Sequence, residues 1–221
     1  MVECIGGNTM EINLDTMKII DISMPVTRLM PVYKGKESKR PNLYIESDFT
    51  TGSAYESKLE MNMHTGTHID RSLHIIPGGT TIETLELSKV ITSCKVIDFT
   101  DVGDKISREQ LKSKNIKTGD FILLKTRNSY MDILETDFIF LDKSGAEYLK
   151  EMKIKGVGTD GLGIERSQPQ HETHIQLLSS DIIILEGLRL KDIEEGEYIL
   201  IAAPINIVGS EAAPVRAILL Q

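Results

Sequence analysis

The chain has 221 residues, 40% of them hydrophobic, enough to bury a real core in one generous domain or two small ones. Its formal net charge is −8, from 25 basic and 33 acidic side chains, which argues against a nucleic-acid or anionic-membrane surface. No stretch approaches the ~20 apolar residues of a membrane span.

Residues 1–16 read as a lead-in segment, and 17–221 as a single domain. The opening MVECIGGNTMEINLD has neither the basic start nor the apolar stretch of a secretory signal. Cys4 and Cys94 are too few for a disulfide scaffold, so a reducing, cytoplasmic location is expected. KIIDISMPV, residues 18–26, predicts a strand that turns at Pro25. Residues 27–53, with Pro31, Gly35, Pro41, Gly52 and many charges, predict a long loop or hairpin. From Tyr55 the odd positions Tyr55, Leu59, Met61 and Met63 alternate with Glu56, Lys58, Glu60 and Asn62, the period of a half-buried strand. Pro77-Gly78-Gly79 breaks the chain, and 81–87 reads as a short connection. Strand-like runs follow at 96–99, 121–126 and 137–141. A helix is expected near Ser107, where Ser107 and Gln110 make a capping-box pattern, and another near Ser144. KGVGTD and IIILE predict strands on either side of a short helix over 171–179. EYILIAAPINIV and VRAILL are β-rich. Strands dominate with interspersed helices, so the class is α/β or α+β.

All five histidines fall in two clusters, HTGTHIDRSLH and HETH. In the first, His64, His68, Asp70 and His74 share even parity, whereas Ile69 and Leu73 take the odd one. On a strand, even positions face one way, so His68 and Asp70 can reach one ion. His64 cannot join them from a straight strand, because the extended path from His64 to Asp70 spans ~20 Å while ligand atoms lie ~2 Å from an ion. The chain must therefore bend, and Gly66 is the residue suited to it. The hydroxyls of Thr65 and Thr67 are expected to satisfy backbone groups freed by the bend. His74 is either a further ligand or a proton carrier, since imidazole titrates near neutrality. In the second cluster, His171 and His174 would be neighbours on one helix face. Glu186 ends an apolar strand and needs a partner there, which an ion shared with His174 would supply. Two metal sites, or one completed by Glu186, both fit this inventory.

HTGTHIDRSLH resembles the H-x-G-T-H-x-D-x-P-x-H signature of the cyclase family of metal-dependent hydrolases, which includes bacterial kynurenine formamidase (arylformamidase) and isatin hydrolase. DISMPVTRLMPVY, GVGTDGLGIE, His174-Ile-Gln-Leu-Leu with Ile-Leu-Glu186, and the tail from Ala203-Pro204 to Pro214-Val215-Arg216-Ala217 are similar to further family segments, in order along nearly the whole chain. The resemblance implies a swivelling β/β/α domain of the α/β class with a mixed, strand-rich core, assembled as a homodimer or homotetramer. It implies that His64, His68 and Asp70 bind one ion, that Asp70 bridges to a second ion held by His174 and Glu186, and that His74 transfers protons. His171 has no place in that pattern. The metal would be zinc, one or two ions, with manganese the other candidate. The implied activity is hydrolysis of a small amide carbon–nitrogen bond, as of N-formylkynurenine to kynurenine and formate. The alternatives are an isatin-hydrolase-like cleavage of a cyclic amide or lactone, or a non-catalytic metal-binding relative. Ser72 stands where the signature has proline, a loss of stiffness before His74. With no tryptophan and 5% aromatics, an aryl pocket would draw on Tyr33, Tyr44, Phe49 or Tyr55.

Overall fold

A computed structural model describes residues 16–131 and 136–221, so all of the lead-in except Thr16 lies outside the described residues. The strands are β1 (Ile19–Asp21), β2 (Asn42–Ser47), β3 (Glu56–Glu60), β4 (His68–Asp70), β5 (Ile91–Asp98), β6 (Lys105–Ile106), β7 (Phe121–Lys125), β8 (Phe140–Leu141), β9 (Gly156–Thr159), β10 (Ile183–Glu186), β11 (Gly196–Ile201), β12 (Ala212–Pro214) and β13 (Ile218–Leu220). The helices are α1 (Arg108–Lys112), α2 (Lys143–Glu151) and α3 (Glu172–Leu178). Among the described residues, no helix is long and apolar enough to cross a membrane.

Nine strands form one curled mixed sheet in the order β1-β13-β11-β5-β7-β9-β10-β4-β12. Strands β5, β7, β9 and β10 run parallel; the outer neighbours pair antiparallel. Phe121–Lys125 is buried at every position, as an apolar run in the parallel centre of a sheet must be when both faces are covered. One face carries Ile122, Leu124, Val157 and Ile184 against Leu111, Ala146, Leu149 and Leu177 of the three helices. The other carries Phe121, Leu123, Ile183 and Leu185. There the curl brings Ile69 and Ala213 from one end into the same core as Leu200 and Leu219 from the other. This is the expected α/β class with a strand-rich core.

The local signals hold with small shifts. Ser107 caps α1, and Gln110 Oε1 accepts from the Ser107 N–H at 3.0 Å, completing the capping box. The second helix starts one residue before Ser144 because Asp142, not a serine, caps it: its carboxylate accepts from Gly145 N at 3.0 Å. The third helix begins only at Glu172. His171 is its cap, in the left-handed conformation, so the two histidines of HETH are not both on the helix.

The expected half-buried strand after Tyr55 needs correction. It forms as β3 and pairs with β2 in a separate hairpin, but all five β3 residues are exposed. The alternation does sort one apolar face, with Leu43 paired to Leu59 and Ile45 on the same side, 71%, 51% and 59% exposed. That face has no core beneath it, because the hairpin belongs to neither face of the large sheet.

Two left-handed glycines join the elements that matter for function. Gly66 (φ +73°) makes the predicted bend before β4, and Gly187 (φ +71°) ends β10. A Cβ on Gly66 would meet side-chain atoms alone, the tip of Met30 at 3.2 Å and Val26 Cγ2 at 3.9 Å, whereas one on Gly187 would lie 2.3 Å from the Gly66 carbonyl oxygen. Gly66→Ala is therefore expected to cost about 1–2 kcal/mol of backbone strain. Gly187→Ala adds a backbone clash and should cost roughly 3 kcal/mol or more. Thermal unfolding checks the order; equal shifts would contradict the close approach of the two turns.

Candidate metal centre

The centre forms where β4 and β10 lie side by side. Their antiparallel register sets Glu186 opposite His68 and Ile184 opposite Asp70, so His68, Asp70 and Glu186 share the helix-side face. Ile69 and Leu185 point into the opposite core, as the parity argument requires. Only 68–70 of the even-numbered run is a strand, however. His74 lies in a 3-10 turn over Ser72–His74, and His64 precedes the Gly66 bend. The parity of 64 and 74 thus does not place them; the turns do.

The threonine hydroxyls around the bend act between segments. Thr65 Oγ1 donates to Lys39 O at 2.7 Å, and Thr67 Oγ1 donates to Gly187 O at 2.7 Å while accepting from Met24 N at 2.7 Å. They satisfy backbone groups of the neighbouring segments, not those freed by the bend itself. Ser72, in the position of the signature proline, accepts from Thr80 N at 2.7 Å and bonds the Thr80 hydroxyl at 2.9 Å. Hydrogen bonds thus restrain the turn that a proline ring would otherwise stiffen.

Asp70 is the hub. Its Oδ1 lies 3.0 Å from His64 Nδ1 and 3.4 Å from His68 Nε2, and its Oδ2 lies 3.5 Å from His174 Nε2. Glu186 closes the ring, with Oε2 3.3 Å from His68 Nε2 and Oε1 3.5 Å from His174 Nε2. The His74 ring stacks obliquely on His64, centroids 4.0 Å apart, and stands 5.5 Å from His174. Donor atoms of His64, Asp70 and His74 lie within 4.8 Å of one another, as do those of His68, Asp70 and Glu186. So the structure brings together all six residues singled out for metal or proton chemistry. The grouping differs in detail, with His74 beside His64 and Glu186 beside His68.

Second contacts aim the rings. His68 Nδ1 donates to Gly66 O at 2.9 Å, which leaves Nε2 facing Asp70 and Glu186. His174 Nδ1 lies 3.0 Å from Glu165 Oε1, and His64 Nε2 bonds Glu211 Oε1 at 3.2 Å. Glu165 also takes the N–H of Thr173 at 2.8 Å and meets His171 Nδ1 at 2.9 Å. His171 thus touches the Glu165 carboxylate from the exposed side. Glu165 was not singled out from the sequence. It closes the run GVGTDGLGIE, and only the fold brings it against His174. Glu186 Oε1 accepts from Ile164 N at 2.6 Å.

Burial alone would push Asp70 toward its neutral form. The surrounding imidazoles of His174, His64 and His68 instead hold its pKa well below the usual carboxylate range. Burial pushes His68 down, but Glu186 and Asp70 outweigh it and raise its pKa to about 9. His74 is different: burial lowers it to about 4, so its imidazole is neutral at pH 7.

A divalent ion fits this donor set. His68 Nε2 and both Asp70 oxygens are fully buried without an aligned hydrogen bond. Native interiors rarely leave such groups unpartnered, and mixed imidazole and carboxylate donors suit zinc or manganese. The centre opens into a cavity of about 320 Å³ lined by Tyr33, Lys39, His64, His74, His174 and Glu186 among others. Of the four aromatics expected to form an aryl pocket, Tyr33 alone lines it; Tyr44 borders a separate groove beside the hairpin.

The Cyclase family model matches residues 20–166. The kynurenine formamidase of Sphingopyxis alaskensis is 30% identical over 207 residues, covering 91% of this chain and 97% of its own. A solved structure described as a predicted metal-dependent hydrolase from Bacillus stearothermophilus is 45% identical, with a TM-score of 0.85 over 93% of this chain and 98% of that one. Isatin hydrolase A from Labrenzia aggregata superposes with a TM-score of 0.81 over 94% of each chain; at 20% identity this speaks for the fold alone. With two thirds of its length matched by the model and the fold shared throughout, the chain belongs to the Cyclase family.

Proposed function

We propose that this protein is a metal-dependent hydrolase of a small amide bond, acting in the manner of an arylformamidase. The observation that carries the reading is Asp70, a fully buried carboxylate with two unbonded oxygens, each facing imidazole nitrogens. The similarity to kynurenine formamidase supports the choice of bond. Cleavage of a cyclic amide on the same centre is the second reading, compatible with the fold shared with isatin hydrolase A.

In this reading His64, His68 and Asp70 would hold one divalent ion, zinc or manganese, and His174 and Glu186 with Asp70 would hold a second. A bound ion would polarise the scissile carbonyl and lower the pKa of a water molecule. Glu165 fixes the tilt of His174, and the Gly66 carbonyl fixes the tautomer of His68. His74, neutral at pH 7, takes a proton from the attacking water and returns it to the leaving nitrogen. The Ser72–Thr80 bonds keep that ring beside His64.

Residues 17–221 are read as one domain, and the free, buried Cys94 thiol accords with a reducing, cytoplasmic setting. The assembly is proposed to be a homo-oligomer paired through the β2–β3 hairpin. A two-stranded ribbon is marginal alone, and the Leu43–Ile45–Leu59 face is apolar but exposed.

Chelation should abolish turnover of N-formylkynurenine, and added zinc or manganese should restore it; full activity in metal-free protein would end the proposal. His74→Ala should keep its metal, measured by elemental analysis, and lose roughly 10²–10⁴ in kcat. Isatin assayed alongside discriminates the second reading. Light scattering should report a dimer or tetramer that Leu43→Lys with Leu59→Lys dissociates, and an unchanged mass would remove the hairpin from the interface.

A further inference from the structure

We propose that Lys39, with Lys34 and Lys36 beside it, selects substrates that carry a carboxylate next to the scissile bond; this rests on the hydrolase reading above. All three ammonium-bearing side chains line the cavity that opens from the histidine cluster. They come from one short segment, 34–39, and share the cavity lining with His74, His174 and Glu186.

Most surface lysines are merely solvated, and Lys34 and Lys36 are exposed here. Lys39 is not. It is half-buried, and its carbonyl is pinned by Thr65 Oγ1 at 2.7 Å, one residue from His64. The segment that forms the centre therefore also sets the position of this lysine. Its ammonium makes no salt bridge within the described residues. It stands 5.6 Å from the centroid of the Tyr33 ring, with Lys34 5.3 Å from the same ring. Burial lowers the pKa of Lys39, and Lys36 and Lys34 add to that, while Glu186 and Asp70 pull the other way. Three cations in one wall repel each other until an anion sits among them.

The rest of the lining supports the same choice. Apart from imidazoles, Tyr33 is the only aromatic side chain on the cavity wall among the described residues, so stacking offers little grip on a substrate. In a chain of net charge −8, a positive wall beside the centre attracts an anion that the remaining surface repels. The carboxylate would meet Lys39 while the amide carbonyl faces the histidine cluster.

A matched pair tests this: formanilide, which is neutral, and 2-formamidobenzoate, which adds one carboxylate. With the zinc-loaded protein, kcat/KM should favour 2-formamidobenzoate. Lys39→Met should cut that preference roughly tenfold, mainly through KM, as expected for loss of one charge-assisted hydrogen bond. Lys39→Arg should retain most of the preference, about 0.5 M salt should compress it, and Lys112→Met, on the exposed side of α1, should leave it unchanged. A preference that survives Lys39→Met, or none in the wild type, overturns the proposal. If neither compound is cleaved, the formamidase reading fails by itself, and calorimetric binding of the same pair decides the role of Lys39. Tighter binding of the carboxylate to wild type than to Lys39→Met supports the proposal, and equal binding overturns it.

Discussion

A carboxylate with no exposure and no hydrogen bond to either oxygen is among the costliest groups a protein interior can hold, and Asp70 is such a group. Its neighbours are what make it tolerable. Three imidazoles approach its two oxygens, and the second buried acid, Glu186, is itself bonded to Ile164 N. Removing any one partner would leave charge uncompensated in a dry interior. A divalent ion adds the positive charge and fills the bonding directions that the imidazoles leave open. The local architecture follows from keeping these groups together.

Four elements from two distant stretches of the chain, 68–74 and 172–186, must converge for that to happen. β4 and β10 meet in antiparallel register, α3 lies across their helix-side face, and the 3-10 turn at Ser72–His74 folds back beside His64. The close approach of Gly187 to Gly66 brings the end of β10 against the start of β4, and Thr67 bonds across the gap. Long-range contacts of this kind fix the geometry before any ligand arrives. A side chain at Gly187 would push Glu186 away from His68, so the glycine acts on chemistry it never touches.

How far each part was legible in the sequence depended on the range of the interaction. The extended stretch His68–Asp70, the bend at Gly66 and the capping box at Ser107 are local, and parity, glycine and spacing reveal them. The family signature places the remaining ligand candidates in one set, and the fold brings them within a few ångströms. Glu165 was invisible because nothing in GLGIE marks a carboxylate nine residues before His174 as its partner; only the turn at 165–171 brings them together. The Tyr55–Met63 alternation was misread for a related reason. Period-two patterning reports that one face is apolar, not what covers it, and here the hairpin leaves its apolar face outside the core.

The same distinction separates the two halves of the cavity. The histidine wall is dense with mutual contacts, so its members are constrained by one another and by the strands that carry them. The lysine wall is tied to the centre through the Thr65–Lys39 hydrogen bond and packs on the Tyr33 ring. Lysines there have little to do for stability, since they repel each other and form no salt bridge among the described residues. A loop that keeps cations in that arrangement is better explained by what enters the cavity than by the fold. The bond broken would then be set by the buried centre, and the molecule admitted by the looser wall beside it. Substrate preference could shift through residues 33–39 without disturbing Asp70.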